Sequence, residues 1–146
     1  MNVNIIKMSI GFNFFFMVFV IGLMSSHAIA QTYSQEKILI SLDSAEFATL
    51  TSSFGYQVKA IVAYEIIDPL YINAKINGVM EISTPDGTLI KISSFPNGFD
   101  VAENGRIQFA STINDPQIGA VNINIVLMNL EKTSVLSNVV STTLIR

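Results

Sequence analysis

The sequence predicts an all-β domain, an antiparallel β-sandwich of about eight or nine short strands, preceded by a cleavable signal peptide. Three observations carry the prediction. Apolar residues recur at period two in segment after segment, as they do on a strand with one buried face. Turn residues punctuate the chain at intervals of roughly 8–12 residues. No stretch after the leader keeps a helical period. The intervals between strands are uneven, which favours a sandwich over a simple up-and-down barrel.

The elements follow in order. Residues 1–30 have the form of a signal peptide: Lys7 supplies the positive n-region, Met8 to Met24 is apolar, and Ala28-Ile29-Ala30 provides the small-x-small cleavage site. A permanent anchor needs about 20 apolar residues. This run is shorter, is interrupted by Asn13 and lacks a basic flank. Gln31 to Gln35 then forms a polar, flexible arm, and residues 36–146 form the sandwich domain.

Within that domain Ile38, Ile40 and Leu42 align on a strand from Glu36 to Leu42, Asp43-Ser44 marks a turn, and Glu46 to Thr51 forms the next strand. Val58, Ala60, Val62, Tyr64 and Ile66 share one face of a strand over 57–67, which Asp68-Pro69 stops because proline cannot donate to a ladder. Asn77-Gly78 reads as a type I′ hairpin turn between strands 71–76 and 79–83. Pro85-Asp86-Gly87-Thr88 turns the chain into a strand over 89–93. The loop from Phe95 to Gly105 holds two more Asn-Gly pairs and so reverses at least once. Ile107, Phe109 and Ile113 mark a strand over 106–113, and Val121, Ile123, Ile125 and Leu127 mark the clearest one, 121–127. A β-branched strand over 135–145 ends the domain.

Composition excludes several classes of function. Cleavage at Ala30 removes one of the 8 basic residues and none of the 11 acidic ones, so the mature chain is one charge more negative than the −3 of the whole. Nucleic acid and anionic membranes are bound through concentrated positive charge, which this chain lacks. There is no cysteine and no tryptophan, and the single histidine, His27, lies in the leader. Histidine-based and cysteine-based catalytic sets, thiolate or imidazole metal sites and thiol redox chemistry are therefore excluded from the mature protein. No cofactor is expected, and stability must come from packing rather than disulfides.

Carboxylates remain as chemistry. Glu65 and Asp68 are the nearest pair, but a hydrolase needs two such groups converging in a cleft, and at a strand end they read as solvated charges. Asp100 and Glu103, with Asn97 and Asn104 nearby, offer oxygen ligands without any calcium-loop spacing. Phe95 and Phe99 flank a Pro-Asn-Gly turn in the longest loop. They either form an exposed contact patch or fold back to cap the sandwich. The candidate binding residues are therefore Phe95, Asn97, Phe99, Asp100 and Glu103. The charge-free strand over 135–145 and the strand over 36–42 are edges open to pairing with a neighbour.

The segments Gly119 to Leu127, Asn129 to Thr133 and Ser137 to Val140 resemble the last two strands of fibronectin type III and related immunoglobulin-like modules, and Val79 to Thr88 resembles a middle hairpin of their prokaryotic versions. That resemblance implies an immunoglobulin-like sandwich and a spacer, adhesin or binding domain. The expected function is a non-enzymatic cell-surface or secreted binding and adhesion module whose partner is a protein or a cell-surface polymer. A filament or surface-layer subunit that donates its first strand is the alternative, and a carboxylate-based exported hydrolase comes third. The leader predicts that protein recovered from the exporting host begins at Gln31, which an intact mass would register. Full-length chain in the membrane fraction would contradict it.

Overall fold

The computed structural model describes residues 36–50 and 55–146, so the predicted leader and arm lie outside the described residues. Two antiparallel sheets enclose one apolar core. The first sheet has three strands in the order β1 (Ile38–Thr49), β2 (Tyr56–Ile66) and β6 (Asn104–Ile113). The second has the order β4 (Leu89–Ser94), β3 (Lys75–Ser83), β7 (Ala120–Asn129) and β8 (Val140–Ile145), and the short β5 (Phe99–Asp100) also pairs with β3. Alternation explains the layering. Val58, Ala60 and Val62 of β2, with Ile107 and Phe109 of β6, face Met80 and Ile82 of β3 and Val121, Ile123, Ile125 and Leu127 of β7; all are buried. Each such aliphatic side chain contributes roughly 1.5–3 kcal/mol relative to an exposed one.

Several local expectations are corrected. Asp43-Ser44 does not reverse the chain: β1 is one strand with a bulge between Leu42 and Ser44. The apolar phase changes there by one residue, from Ile38, Ile40 and Leu42 to Ala45 and Phe47, and the inserted residue of a bulge keeps both sets against the core. The carboxylate of the inserted Asp43 accepts a hydrogen bond from Arg106 Nε at 2.7 Å.

Asn77-Gly78 is not a hairpin turn. Both residues lie inside β3, opposite Met128 and Leu127 of β7, and Gly78 does not have the positive φ of a type I′ turn. Tertiary packing overrides the local signal, because a Cβ at Gly78 would meet Phe109 at 2.7 Å and Phe95 at 3.0 Å. Of the strand expected over 71–76, only Lys75 and Ile76 are extended, as the start of β3; the residues before them form a single 3-10 turn, Pro69–Tyr71, and a loop through Asn73 at φ 62°. Of the other Asn-Gly pairs, Asn97-Gly98 does turn, whereas Asn104-Gly105 opens β6 with Gly105 beneath the Tyr64 ring.

The turn into β4 forms as expected. Gly87 has φ 90°, and the Thr84 N–H donates to the Thr88 carbonyl at 2.9 Å. The Thr84 hydroxyl and then the Thr88 N–H bond the Asp86 carboxylate, which holds its pKa below the ordinary aspartate value.

The last strand is shorter than 135–145. Residues 134–139 leave the regular ladder, keeping single pairings of Val135 with Met128 and of Ser137 with Ile38, and bond to both sheets: Lys37 and Ile38 donate to the Leu136 carbonyl at 2.9 and 3.0 Å, and Leu136 donates to the Leu127 carbonyl at 2.9 Å. The Asn138 side chain accepts from the Ile40 N–H at 2.8 Å and donates to the Ile40 carbonyl at 2.9 Å, replacing a strand partner for that residue. The close approach at Gly78 gives a direct expectation. Gly78→Ala should cost about 1–3 kcal/mol, the range for overpacking a well-packed site, read as a lower urea midpoint with an unchanged slope.

Candidate functional site

The loop between β4 and β6 carries all five candidate binding residues. It is tightly bound to the body of the domain. Gly98 donates to the Phe95 carbonyl at 3.2 Å, and Asn77 Nδ2 donates to the same carbonyl at 2.8 Å. A Cβ at Gly98 would meet the Ile76 carbonyl oxygen at 2.5 Å, and its φ of 63° is open to glycine at no steric cost. Phe99 and Asp100 then pair with Ile76 and Lys75. Val101 donates to Ala74 at 3.1 Å and accepts from Asn73 at 2.7 Å. Ala102 N–H donates to the Tyr64 hydroxyl at 3.2 Å, and the Glu103 carbonyl accepts from Ile66 at 2.8 Å.

The two phenylalanines point towards the body of the domain. Phe95 and Phe99 meet edge to face at 5.1 Å, and Phe95 lies 5.3 Å from Phe109, so both rings pack partly buried against the core. Of the two geometries open to them, the rings adopt the capping one. Asn97, Asp100 and Glu103 are exposed, with Pro96 beside them, and make up the polar outer surface of the loop. Rings and polar groups thus occupy opposite sides of one short segment. Among the described residues no group of three or more His, Cys, Asp or Glu side chains gathers into a metal-binding set.

The Glu65 and Asp68 pair is divided by its surroundings. Glu65 is exposed on β2 between Leu39 and Asn104. Asp68 caps the 3-10 turn, accepting from Leu70 N–H at 3.1 Å, and its carboxylate lies 3.5 Å from Lys37 Nζ. A partly exposed ion pair of this kind is worth about 0–1 kcal/mol, and the cap is the clearer role.

Sequence reasoning missed two features of the surface. Leu70, at the tip of the 3-10 turn, is 87% exposed and Ile145 is 79% exposed. The sequence reading left Leu70 between two strands and placed Ile145 at the end of the last one, without assigning either side chain to the surface. Only the Asp68-Pro69 dipeptide hinted that the first of them lies on a turn.

These features define a two-sheet antiparallel β-sandwich with a polar loop surface. No protein-family model and no curated protein matches the sequence. Solved structures do resemble it. A chain provisionally assigned as a beta-galactosidase from Bacteroides fragilis aligns with a TM-score of 0.57 at 13% identity, over 75% of this chain and 18% of that one. A beta-glucuronidase from Bacteroides uniformis aligns with a TM-score of 0.46 at 13% identity, over 73% of this chain and 12% of that one. The protein therefore spans less than a fifth of either neighbour, and the first likeness is one of fold.

The opposite placement of rings and polar groups separates two variants. Phe95→Ala should lower stability by roughly 3 kcal/mol, the low end for truncating a packed phenylalanine. Asn97→Ala should stay within about 0.5 kcal/mol of the parent. Chemical denaturation of both variants checks the pair.

Proposed function

We propose that the protein is an exported, non-enzymatic immunoglobulin-like module that binds a protein or a cell-surface polymer outside the cytoplasm. One observation carries the reading, namely the strand order. With β1, β2, β3, β6, β7 and β8 lettered A, B, C, E, F and G, the pairings A-B-E and C-F-G match those of immunoglobulin-like sandwiches, and β4 stands beside C. Domains of this architecture present loops at the ends of a rigid scaffold. Here the loop from Phe95 to Glu103 is such a surface, with Asn97, Asp100 and Glu103 outermost.

The coverage of the β-galactosidase structure supports a modular role, since the matching sandwich is 18% of that chain. Two features weigh against the other readings. The hydrolase reading needs Glu65 and Asp68 free to converge, while Asp68 is engaged with Leu70 and Lys37. The strand-donation reading needs residues 36–42 to be available to another subunit. In this fold Ile38 and Ile40 are buried and pair with Ile66 and Tyr64 of the same chain.

The test has two arms. Protein purified from the exporting host should sediment saturably with that host's isolated cell envelope, and binding should fall at least several-fold in an Asn97→Ala/Asp100→Ala/Glu103→Ala variant with an unchanged melting curve. It should release no chromophore from β-galactoside or other glycoside substrates. Turnover that disappears in Glu65→Gln or Asp68→Asn would replace the binding reading with an enzymatic one.

A further inference from the structure

An asparagine followed by glycine is chemically labile, because the backbone nitrogen of a residue without a Cβ is unhindered and can attack the asparagine side-chain carbonyl. The chain carries three such pairs, Asn77-Gly78, Asn97-Gly98 and Asn104-Gly105, and the fold places them in three different environments. The attack needs a side-chain amide open to water, a glycine N–H free to lose its proton, and a backbone that can open far enough to bring the two together.

Two of the pairs fail these conditions. Asn77 is 1% exposed, its Nδ2 donates to the Phe95 carbonyl at 2.8 Å, and Gly78 is paired with Leu127 inside β3. Asn104 is exposed, but Gly105 pairs with Tyr64, two residues along the ladder from the Ile66–Glu103 bond. By the alternation of an antiparallel ladder its N–H is directed at the Tyr64 carbonyl, and the Tyr64 ring lies against it. The third pair meets them. Asn97 is exposed on a turn, and the Gly98 N–H is held by the Phe95 carbonyl at 3.2 Å, longer than the usual value of about 2.9–3.0 Å. The Phe95 ring packed on Phe109 and the Phe99–Ile76 pair anchor the chain on either side of this tip. Opening Pro96–Gly98 therefore breaks that one bond and leaves the anchors in place, a local event far smaller than unfolding.

We propose that Asn97-Gly98 is a self-modification site, at which the folded protein converts Asn97 to aspartate and isoaspartate while Asn77 and Asn104 keep their amides. Base from the solvent takes the Gly98 N–H proton. The nitrogen attacks Asn97 Cγ, the Cγ–Nδ2 bond breaks, and the amide nitrogen leaves as ammonia with a proton drawn from water, which closes a cyclic imide. Water then opens the imide at either carbonyl. Breaking the new bond to Cγ gives aspartate, and breaking the bond to the main-chain carbonyl carbon gives isoaspartate. The sum is amide plus water giving carboxylate plus ammonium, with nothing oxidised or reduced. Either product adds a negative charge to the outer surface that carries Asp100 and Glu103. Isoaspartate also routes the chain through Cβ, which lengthens the backbone between the two anchors and disrupts the Gly98–Phe95 bond. The conversion is independent of what the loop binds, and it gives the proposed binding surface a built-in ageing reaction.

The test is to incubate the purified protein in mildly alkaline buffer, below its melting transition, and to follow each pair by peptide mapping with mass spectrometry. Asn97 should exchange amide for acid several-fold faster than Asn77 or Asn104, and an acidic species should grow in step on isoelectric focusing. Asn97→Gln lengthens the side chain by one methylene and disfavours the ring closure, so this variant should remain a single species over the same period. In guanidinium chloride the fold is removed, and all three pairs should convert at comparable rates. An Asn97 that keeps its amide in the folded protein, conversion of Asn77 or Asn104 as fast as Asn97, an acidic species that persists in Asn97→Gln, or the same order of rates in the unfolded chain would each overturn the proposal.

Discussion

The segment Leu136–Asn138 hydrogen-bonds to both sheets at once, and the closure of the sandwich on that side depends on it. Its backbone takes the Lys37 and Ile38 N–H groups from the first sheet and gives the Leu136 N–H to Leu127 in the second. Ser137 Oγ accepts from the Leu127 N–H at 2.9 Å, and the Asn138 amide satisfies both backbone groups of Ile40. Buried backbone groups left unpaired cost about 1–3 kcal/mol each. A chain that must close two sheets without a disulfide therefore gains from one segment that satisfies several such groups. The seam also fixes where β1 sits. With Lys37 and Ile38 bound at one end, Ile38 and Ile40 are buried beside β2.

A second constraint lies across the core from the seam. Gly78 on β3, Phe109 on β6 and Phe95 on the following loop meet where a side chain at residue 78 would collide with both rings. The missing Cβ lets the aromatic layer approach the backbone of β3. Phe95 is held against that layer, and the Asn77 amide bonds its carbonyl. The candidate binding loop is thus anchored by its aromatic residues and exposes its polar ones. A surface built this way is preorganised, so a ligand bound to it would pay little to order it.

The two sheets are joined on both sides of the sandwich. Lys91 reaches from β4 to the Thr112 carbonyl of β6 at 3.1 Å, bridging the two sheets on the side away from the seam. Beside the seam, β1 turns through its bulge while β8 continues straight. The start of β8 therefore lies against β1, while its pairing with β7 stays regular from Val140 to Ile145.

The sequence by itself determined the class of the fold, because a period-two pattern with one buried face can be satisfied only by strands packed on a shared core. It also determined the inward residues of β2, β6 and β7, whose alternation survives unchanged. The turn at Asp86-Gly87 was legible for a similar reason, since its chemistry is local: hydroxyl, carboxylate and glycine act within five residues. Only the tertiary structure decided the fate of Asn77-Gly78, of Asp43-Ser44 and of residues 134–139. In each case the deciding partner is distant in sequence: Phe109 for Gly78, β2 for the bulge, and Ile38 and Ile40 for the seam. The same holds for the candidate site. Sequence placed Phe95, Asn97, Phe99, Asp100 and Glu103 on one loop, but the direction of each side chain was set by the aromatic layer beneath it, because a short segment with apolar and polar residues has no preferred face until a core supplies one.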